Sequence, residues 1–253
     1  MKIEIGILNT FVILVLFSIF AKTADAQKIA LTFDDAPRGS TAKFDGPTRA
    51  KKILAALNKA EVPEAVFLAN SERIDDEGKS RLLKYAAAGH LIGNHTHSHP
   101  DINSTDTTSY VENIVTADTM LSVFPGFWRA FRFPFLREGN HLQKRDAVRD
   151  ELTRLGYLNA YVTINNYDWE IDRLLQEAIR SKRKVHYDRL RKVYLDVLLA
   201  CVDFYDSMAV RILGRSPNHV ILLHENDLNA LFVGDLVREL RKRGWRIISP
   251  KLA

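Results

Sequence analysis

With one cysteine in 253 residues, the chain can form no intrachain disulfide, whatever its compartment. Cys201 lies in the apolar run YLDVLLACVDFYD and is expected to be a small core residue, so stability must come from packing and from any bound ion. Long apolar runs are equally scarce. The one candidate, Phe11 to Ala21, has eleven residues, short of the roughly 20 a spanning helix needs. It follows Lys2 and precedes the small-x-small triplet Ala24-Asp25-Ala26, a pattern that predicts an export signal over residues 1–26, cleaved after Ala26. An uncleaved anchor is the alternative, because Ile5 to Leu8 could lengthen the span. No cysteine near the cut argues against a lipid-modified amino terminus.

Charge of one sign is also lacking. Lys and Arg number 36 against 31 Asp and Glu, a net of +5. Removing residues 1–26 takes Lys2 and Lys22 with Glu4 and Asp25, which leaves that balance unchanged. A bias so small and scattered suits an acidic wall polymer or an anionic membrane surface but not nucleic-acid binding. Its one concentration, Arg180 to Lys192 (RSKRKVHYDRLRK), reads as a solvated helix face. Internal repeats and low-complexity linkers are missing too, so residues 27–253 are expected to form one domain of catalytic size.

What the sequence does contain is alternation. From Lys28, short β-like runs (KIALTF, AVFLAN, HLIG, the region of FRFPF, YLNAYVTI, HVILLHE, WRIIS) alternate with amphipathic helical stretches. That is the pattern of a parallel sheet covered by helices, an α/β fold. Residues 170 to 216 are charged and helix-favouring, with apolar residues at helical spacing from Leu190 to Leu213, and read as an inserted helical pair. Polar clusters recur where β-like runs end: DDAP, NHTHSH, RFPF, NNYDW and HEND. In parallel α/β architectures the site gathers at the carboxyl ends of the strands, so these five clusters could meet at one mouth.

Three of the 8 histidines fall within five residues, His95, His97 and His99. A spacing of four puts His95 and His99 on one side of a helical turn, with His97 facing away. With one aspartate they would make a His₂Asp triad that leaves positions open for water and substrate on Zn²⁺ or a similar ion. Asp34 and Asp35 leave a strand together, and side-chain alternation suggests a division of labour, one carboxylate for a cation and one free to take a proton.

Taken in order, these motifs resemble the polysaccharide deacetylase family, the NodB-homology or family 4 carbohydrate esterases. TFDDAP (Thr32 to Pro37), HTHSH (His95 to His99), RFPF (Arg132 to Phe135), NNYDW (Asn165 to Trp169) and ILLH (Ile221 to His224) correspond to its five motifs. The resemblance implies a distorted, incomplete (β/α) barrel. It also implies hydrolytic removal of N-acetyl groups from a polysaccharide or oligosaccharide, and the export signal predicts a periplasmic or extracellular location. By position it implies Asp35, His95 and His99 as ligands to one divalent ion, Zn²⁺ in first place with Co²⁺, Ni²⁺ or Mn²⁺ as alternatives. Asp34 would be the general base, oriented by Arg132, and His224 the general acid, oriented by Asp168. The backbone N–H of Phe135 would join the ion in stabilising the oxyanion.

Departures limit the carry-over. Asn165 replaces the first aspartate of the fourth motif, Ala36 the glycine after the aspartate pair, and Phe133 and Phe135 a proline and a tyrosine, which predicts a more apolar groove wall. Among the aromatics near these motifs, Trp169 and Phe135 are the expected sugar contacts. Asn226 and Asp227 read as turn residues, and His90, His141, His186 and His219 as structural or surface groups. Gly93-Asn94-His95 echoes the metallophosphoesterases, but the Asp-x-His and Gly-Asp-x-x-Asp elements of those enzymes are missing. O-acetyl ester hydrolysis, or a secreted carbohydrate binder without turnover, stays open.

Overall fold

The computed structural model describes residues 26–253; the expected export signal falls almost wholly outside the described residues. Seven strands, all parallel, form the sheet: β1 (Lys28–Ala36), β2 (Val66–Ala69), β3 (Leu91–Asn94), β4 (Phe127–Phe131), β5 (Leu158–Asn159), β6 (Asn218–His224) and β7 (Arg246–Ile248). Their order is β5-β4-β3-β2-β1-β6, with β7 beside β1. One edge of β1 is used twice, Lys28–Ala30 against β7 and Thr32–Ala36 against β2.

The sheet curls into the expected incomplete barrel. After β5 the chain crosses to the opposite edge, where Ile164 bridges Ile221 of β6. The crossing is held by Ile164 N–H on Val220 O at 3.0 Å and Leu222 N–H on Ile164 O at 3.1 Å. Because helices cover the sheet, strand interiors are apolar on successive residues: β2 is buried throughout, and Ile29 to Phe33 of β1 are within 1 % of full burial. Gly93 in β3 has a spatial cause, since a Cβ there would sit 2.6 Å from Leu68 Cδ2 and 3.0 Å from Ala130 O.

Seven helices connect the strands: α1 (Gly46–Lys59), α2 (Asp76–Ala87), α3 (Thr107–Leu121), α4 (Leu142–Arg154), α5 (Asp168–Arg180), α6 (Tyr187–Leu213) and α7 (Asp227–Lys242). Asp45, Asp75, Asp106 and Asn226 cap their helices by accepting from the N–H three residues on, each cap contributing about 1 kcal/mol. The helical pair α5–α6 is no outlying appendage: Ile171, Tyr194, Leu198 and Val202 belong to the main core with β1 and α7. Asn226 and Asp227 are the cap and first residue of α7, which therefore starts before the LFVGDLVRELRKRG stretch. Cys201 is half-buried against the same core.

Candidate active site

Every strand that carries a motif ends at the same mouth, a cavity of about 730 Å³ lined by Asp34, Asp35, His95, His99, Phe135 and His224 together with Arg38, Arg73, Leu136, Asn165, Trp169 and Leu222. The aspartate pair reaches it through a local irregularity. In β1 the register to β2 slips between Phe33 and Ala36, and Asp35 has φ 66°. A bulge of this kind re-aims side chains, so two neighbours that alternation would send to opposite faces both face the cavity.

They are held differently. Asp34 is buried (2 % exposed), with Oδ1 accepting from Arg132 Nη1 at 2.6 Å and Oδ2 3.9 Å from His95 Nε2. Arg132 is itself fixed by Thr32 Oγ1 (2.8 Å) and the Ala160 carbonyl (2.9 Å). Asp35 Oδ1 lies 3.6 Å from His99 Nε2 and 3.7 Å from Arg73 Nη1. Burial alone would raise the Asp35 carboxyl, but the His95, His224 and His99 rings and the Arg73 guanidinium together hold it below the ordinary carboxylate value.

His95 and His99 come together without a helical turn, contrary to expectation. Residues 95–100 form a loop in which Thr96 (φ 71°) and His99 (φ 56°) are left-handed. Side-chain bonds to the backbone displace helix there: Asn94 Oδ1 accepts from Thr96 N at 2.8 Å, Thr96 Oγ1 from His99 N at 3.1 Å, and Asn113 Oδ1 from His97 N at 2.7 Å. His97 points away and pairs with Ser71 Oγ at 2.8 Å. Burial and the neighbouring His95 push the His99 ring down to about 4, which leaves it neutral, with a nitrogen lone pair, near pH 7.

A metal fit can be judged from the donors. One ligand atom from each of Asp35, His95 and His99 lies within 4.8 Å of the others. Asp35 Oδ1 is buried with no hydrogen-bond partner, a costly state that a cation would relieve. His95 Nδ1 is 2.8 Å from the Arg132 carbonyl, which places the proton on Nδ1 and frees Nε2 for an ion. The set fits a divalent cation.

Beyond it sits His224. Its Nδ1 donates to Asp168 Oδ1 at 2.7 Å, leaving Nε2 for the cavity. Asp168 is fully buried, and its Oδ2 accepts from His224 N (2.8 Å), Asn226 Nδ2 (3.1 Å) and Asn229 Nδ2 (2.6 Å). Burial opposes a charged imidazole, but the Asp168 carboxylate, with Asp34 and Asp35 beyond it, raises His224 to about 9. Trp169 and Phe135, 49 % and 56 % exposed, stand at the cavity where a sugar face could meet them. Phe135 is left-handed (φ 58°) and packs edge-on against His99. Phe133 is not part of the groove wall: it is buried in a second core cluster with Phe131 and Tyr110. Ala36 is buried at the end of β1.

With this geometry the chain matches the polysaccharide deacetylase family model over residues 21–160, more than half its length. The chain belongs to the polysaccharide deacetylase family. Two curated members are similar to it. A peptidoglycan-N-acetylglucosamine deacetylase of Bacillus cereus is 31% identical over 117 residues, 46% of this chain and 38% of that protein. A chitooligosaccharide deacetylase of Rhizobium leguminosarum biovar trifolii is 32% identical over 103 residues, 40% and 43% of the two chains. The chain thus aligns with less than half the length of these curated relatives. A family 4 carbohydrate esterase of Streptomyces lividans, solved with acetate, shares the fold at a TM-score of 0.59 and 18% identity, over 89% of this chain and 94% of that one.

Asp34, Asp35, His95, His99, Arg132, Phe135, Asp168, Trp169 and His224 converge on the cavity or on the groups that line it; Phe133 does not. Sequence reasoning missed Arg38, Arg73 and Leu136 in the lining, and Asn229 behind Asp168. The signal for Arg38 was its position directly after DDAP. For Arg73 it was the polar NSER cluster at the end of β2.

Proposed function

We propose that this polysaccharide deacetylase family member is an exported, divalent-metal-dependent hydrolase that removes N-acetyl groups from a glycan. The observation that carries the reading is the juxtaposition of an Asp35–His95–His99 donor set with a carboxylate held by an arginine, Asp34–Arg132, and an imidazole held by a carboxylate, His224–Asp168. Periplasmic or extracellular placement rests on the expected export signal.

Asp35, His95 and His99 would hold the ion, with Zn²⁺ first on the chemistry of a His₂Asp set. When bound, the ion supplies Lewis-acid polarisation of the acetyl carbonyl and lowers the pKa of water. Asp34, held in place by Arg132, accepts the proton of the attacking water as its oxygen bonds to the acetyl carbon. His224, raised to about 9, is protonated near neutral pH and donates from Nε2 to the sugar nitrogen as the C–N bond breaks. Acetate and a free amino sugar leave. Asp168 keeps the ring in the tautomer that presents Nε2, and the Phe135 N–H would serve the developing oxyanion. Trp169 and Leu222 offer apolar surface to the substrate.

The test is acetate release from a panel of N-acetylated and O-acetylated glycans, with and without chelator, and with Asp34→Asn. The expected result is release from an N-acetyl glycan, abolished by chelation and by the substitution. Undiminished release under both treatments overturns the mechanism, and release confined to O-acetyl esters reassigns the bond.

A further inference from the structure

Arg38 is held by a concentration of buried charge. Its N–H donates to Glu225 Oε2 at 2.5 Å, and its carbonyl accepts from Arg49 Nη1 at 2.8 Å and Arg81 Nη1 at 2.7 Å. Each of those partners is buried and paired in turn: Arg81 with Glu225 at 3.0 Å, Arg49 with Asp227 at 2.6 Å. The side chain is pinned as well, Nη1 lying 2.9 Å from the fully buried Asp172 carboxylate. Burying three carboxylates and two guanidiniums is costly, and here they converge on one residue in a loop. The guanidinium compensates the buried Asp172 carboxylate through Nη1 alone. The guanidinium is one-third exposed and lines the cavity that also holds Trp169 and His224. Among the described residues Asp172 is its one hydrogen-bond partner, so most of its five N–H donors are free for a ligand.

We infer that Arg38 is a specificity-determining residue that recognises a carboxylate on the glycan, borne by the N-acetylated sugar itself or by its neighbour, and that the preferred substrate is an acidic glycan. This rests on the deacetylase reading above. The remaining donors of a fixed guanidinium can meet both oxygens of a planar carboxylate. A doubly charged phosphate fits less well, because Asp34 and Asp35 line the same cavity and like charges repel. The other arginine lining the cavity, Arg73, lies against Asp35, and Arg132, buried behind it, is committed to Asp34, which leaves Arg38 for substrate.

The test compares two substrates that differ by the charge and one methyl group, a disaccharide of N-acetylglucosamine and N-acetylmuramic acid, whose lactyl carboxylate is free, and its methyl ester. Wild type, Arg38→Gln and Arg38→Lys are assayed with metal present. Neither substitution removes the backbone N–H and C=O that Glu225, Arg49 and Arg81 grip. The expected kcat/KM ratio of acid to ester is about tenfold or more in wild type, as for one charge-assisted contact. In Arg38→Gln it falls toward one through the KM of the acid, and Arg38→Lys recovers part of it. Equal use of acid and ester by wild type, or equal losses on both in Arg38→Gln, overturns the inference and leaves the deacetylase reading standing. If wild type releases acetate from neither, that reading fails for these substrates. Calorimetric binding of acid and ester to wild type and Arg38→Gln then decides the inference alone, a preference lost on substitution supporting it and no preference overturning it.

Discussion

Asp168→Asn isolates the contribution of one buried carboxylate to the acid side of the site. The amide oxygen can take the place of Oδ2 and keep its three donors, His224 N, Asn226 Nδ2 and Asn229 Nδ2. The amide nitrogen must then occupy the Oδ1 position, 2.7 Å from His224 Nδ1. Donor would face donor, so the ring switches to the tautomer with its proton on Nε2 and loses the anion that stabilised its charged form. A neutral imidazole is a poor acid, and the proton-transfer contribution of about 10²–10⁴ in kcat should disappear, equivalent to about 3–5 kcal/mol of barrier. Stability carries the same signature. His224 is raised from the ordinary 6.5 to about 9, which corresponds to about 3 kcal/mol. Because the folded value lies above the unfolded one, that stabilisation is fully present below about pH 6.5 and is lost as pH rises through about 9. Asp168, held below its ordinary value although burial opposes this, gives stability that is present above about pH 4 and lost as pH falls through its folded value. Acetate release across pH and urea unfolding at pH 6 and pH 10 should be measured for both proteins, the difference between them cancelling the other titrating groups. Activity within about threefold of wild type, or identical pH dependence of unfolding, would refute the assignment of His224 and Asp168 as a coupled pair.

Three further outcomes are expected. His95→Ala should weaken divalent-ion binding, read by calorimetry on the chelator-treated protein, by more than the roughly 10–100-fold that loss of an outer partner costs. His97→Ala, whose ring faces Ser71, should leave that affinity unchanged. Asp227→Ala breaks a pair in which both side chains are fully buried, and denaturant unfolding should show a loss of about 3–5 kcal/mol from the uncompensated Arg49. Trp169→Ala removes a half-exposed ring, so stability should change by no more than about 1 kcal/mol while KM for glycan rises and kcat changes less.

The sequence by itself determined the layered architecture, because β-like and helical periodicities alternate from Lys28 onward and a parallel sheet is the arrangement that buries both. It also brought the polar clusters together, since clusters at strand ends have one place to meet in such a fold. Motif positions were enough to point to Asp34, Asp35, His95, Arg132, Asp168 and His224. Tertiary structure decided what local pattern cannot encode. The bulge that turns Asp35 into the same mouth as Asp34 depends on the register with β2, and β2 lies some thirty residues away in sequence. The loop that unites His95 with His99 depends on Asn113 of α3 outcompeting the helical turn their spacing suggested. Phe133 belongs to the core rather than the groove because its neighbours in space, Phe131 and Tyr110, fill that side. Arg38 is the clearest case: the groups that hold it, Arg49, Arg81, Asp172 and Glu225, come from four separate stretches of chain. Buried charges find partners by proximity in three dimensions, and a one-dimensional pattern carries no record of that proximity.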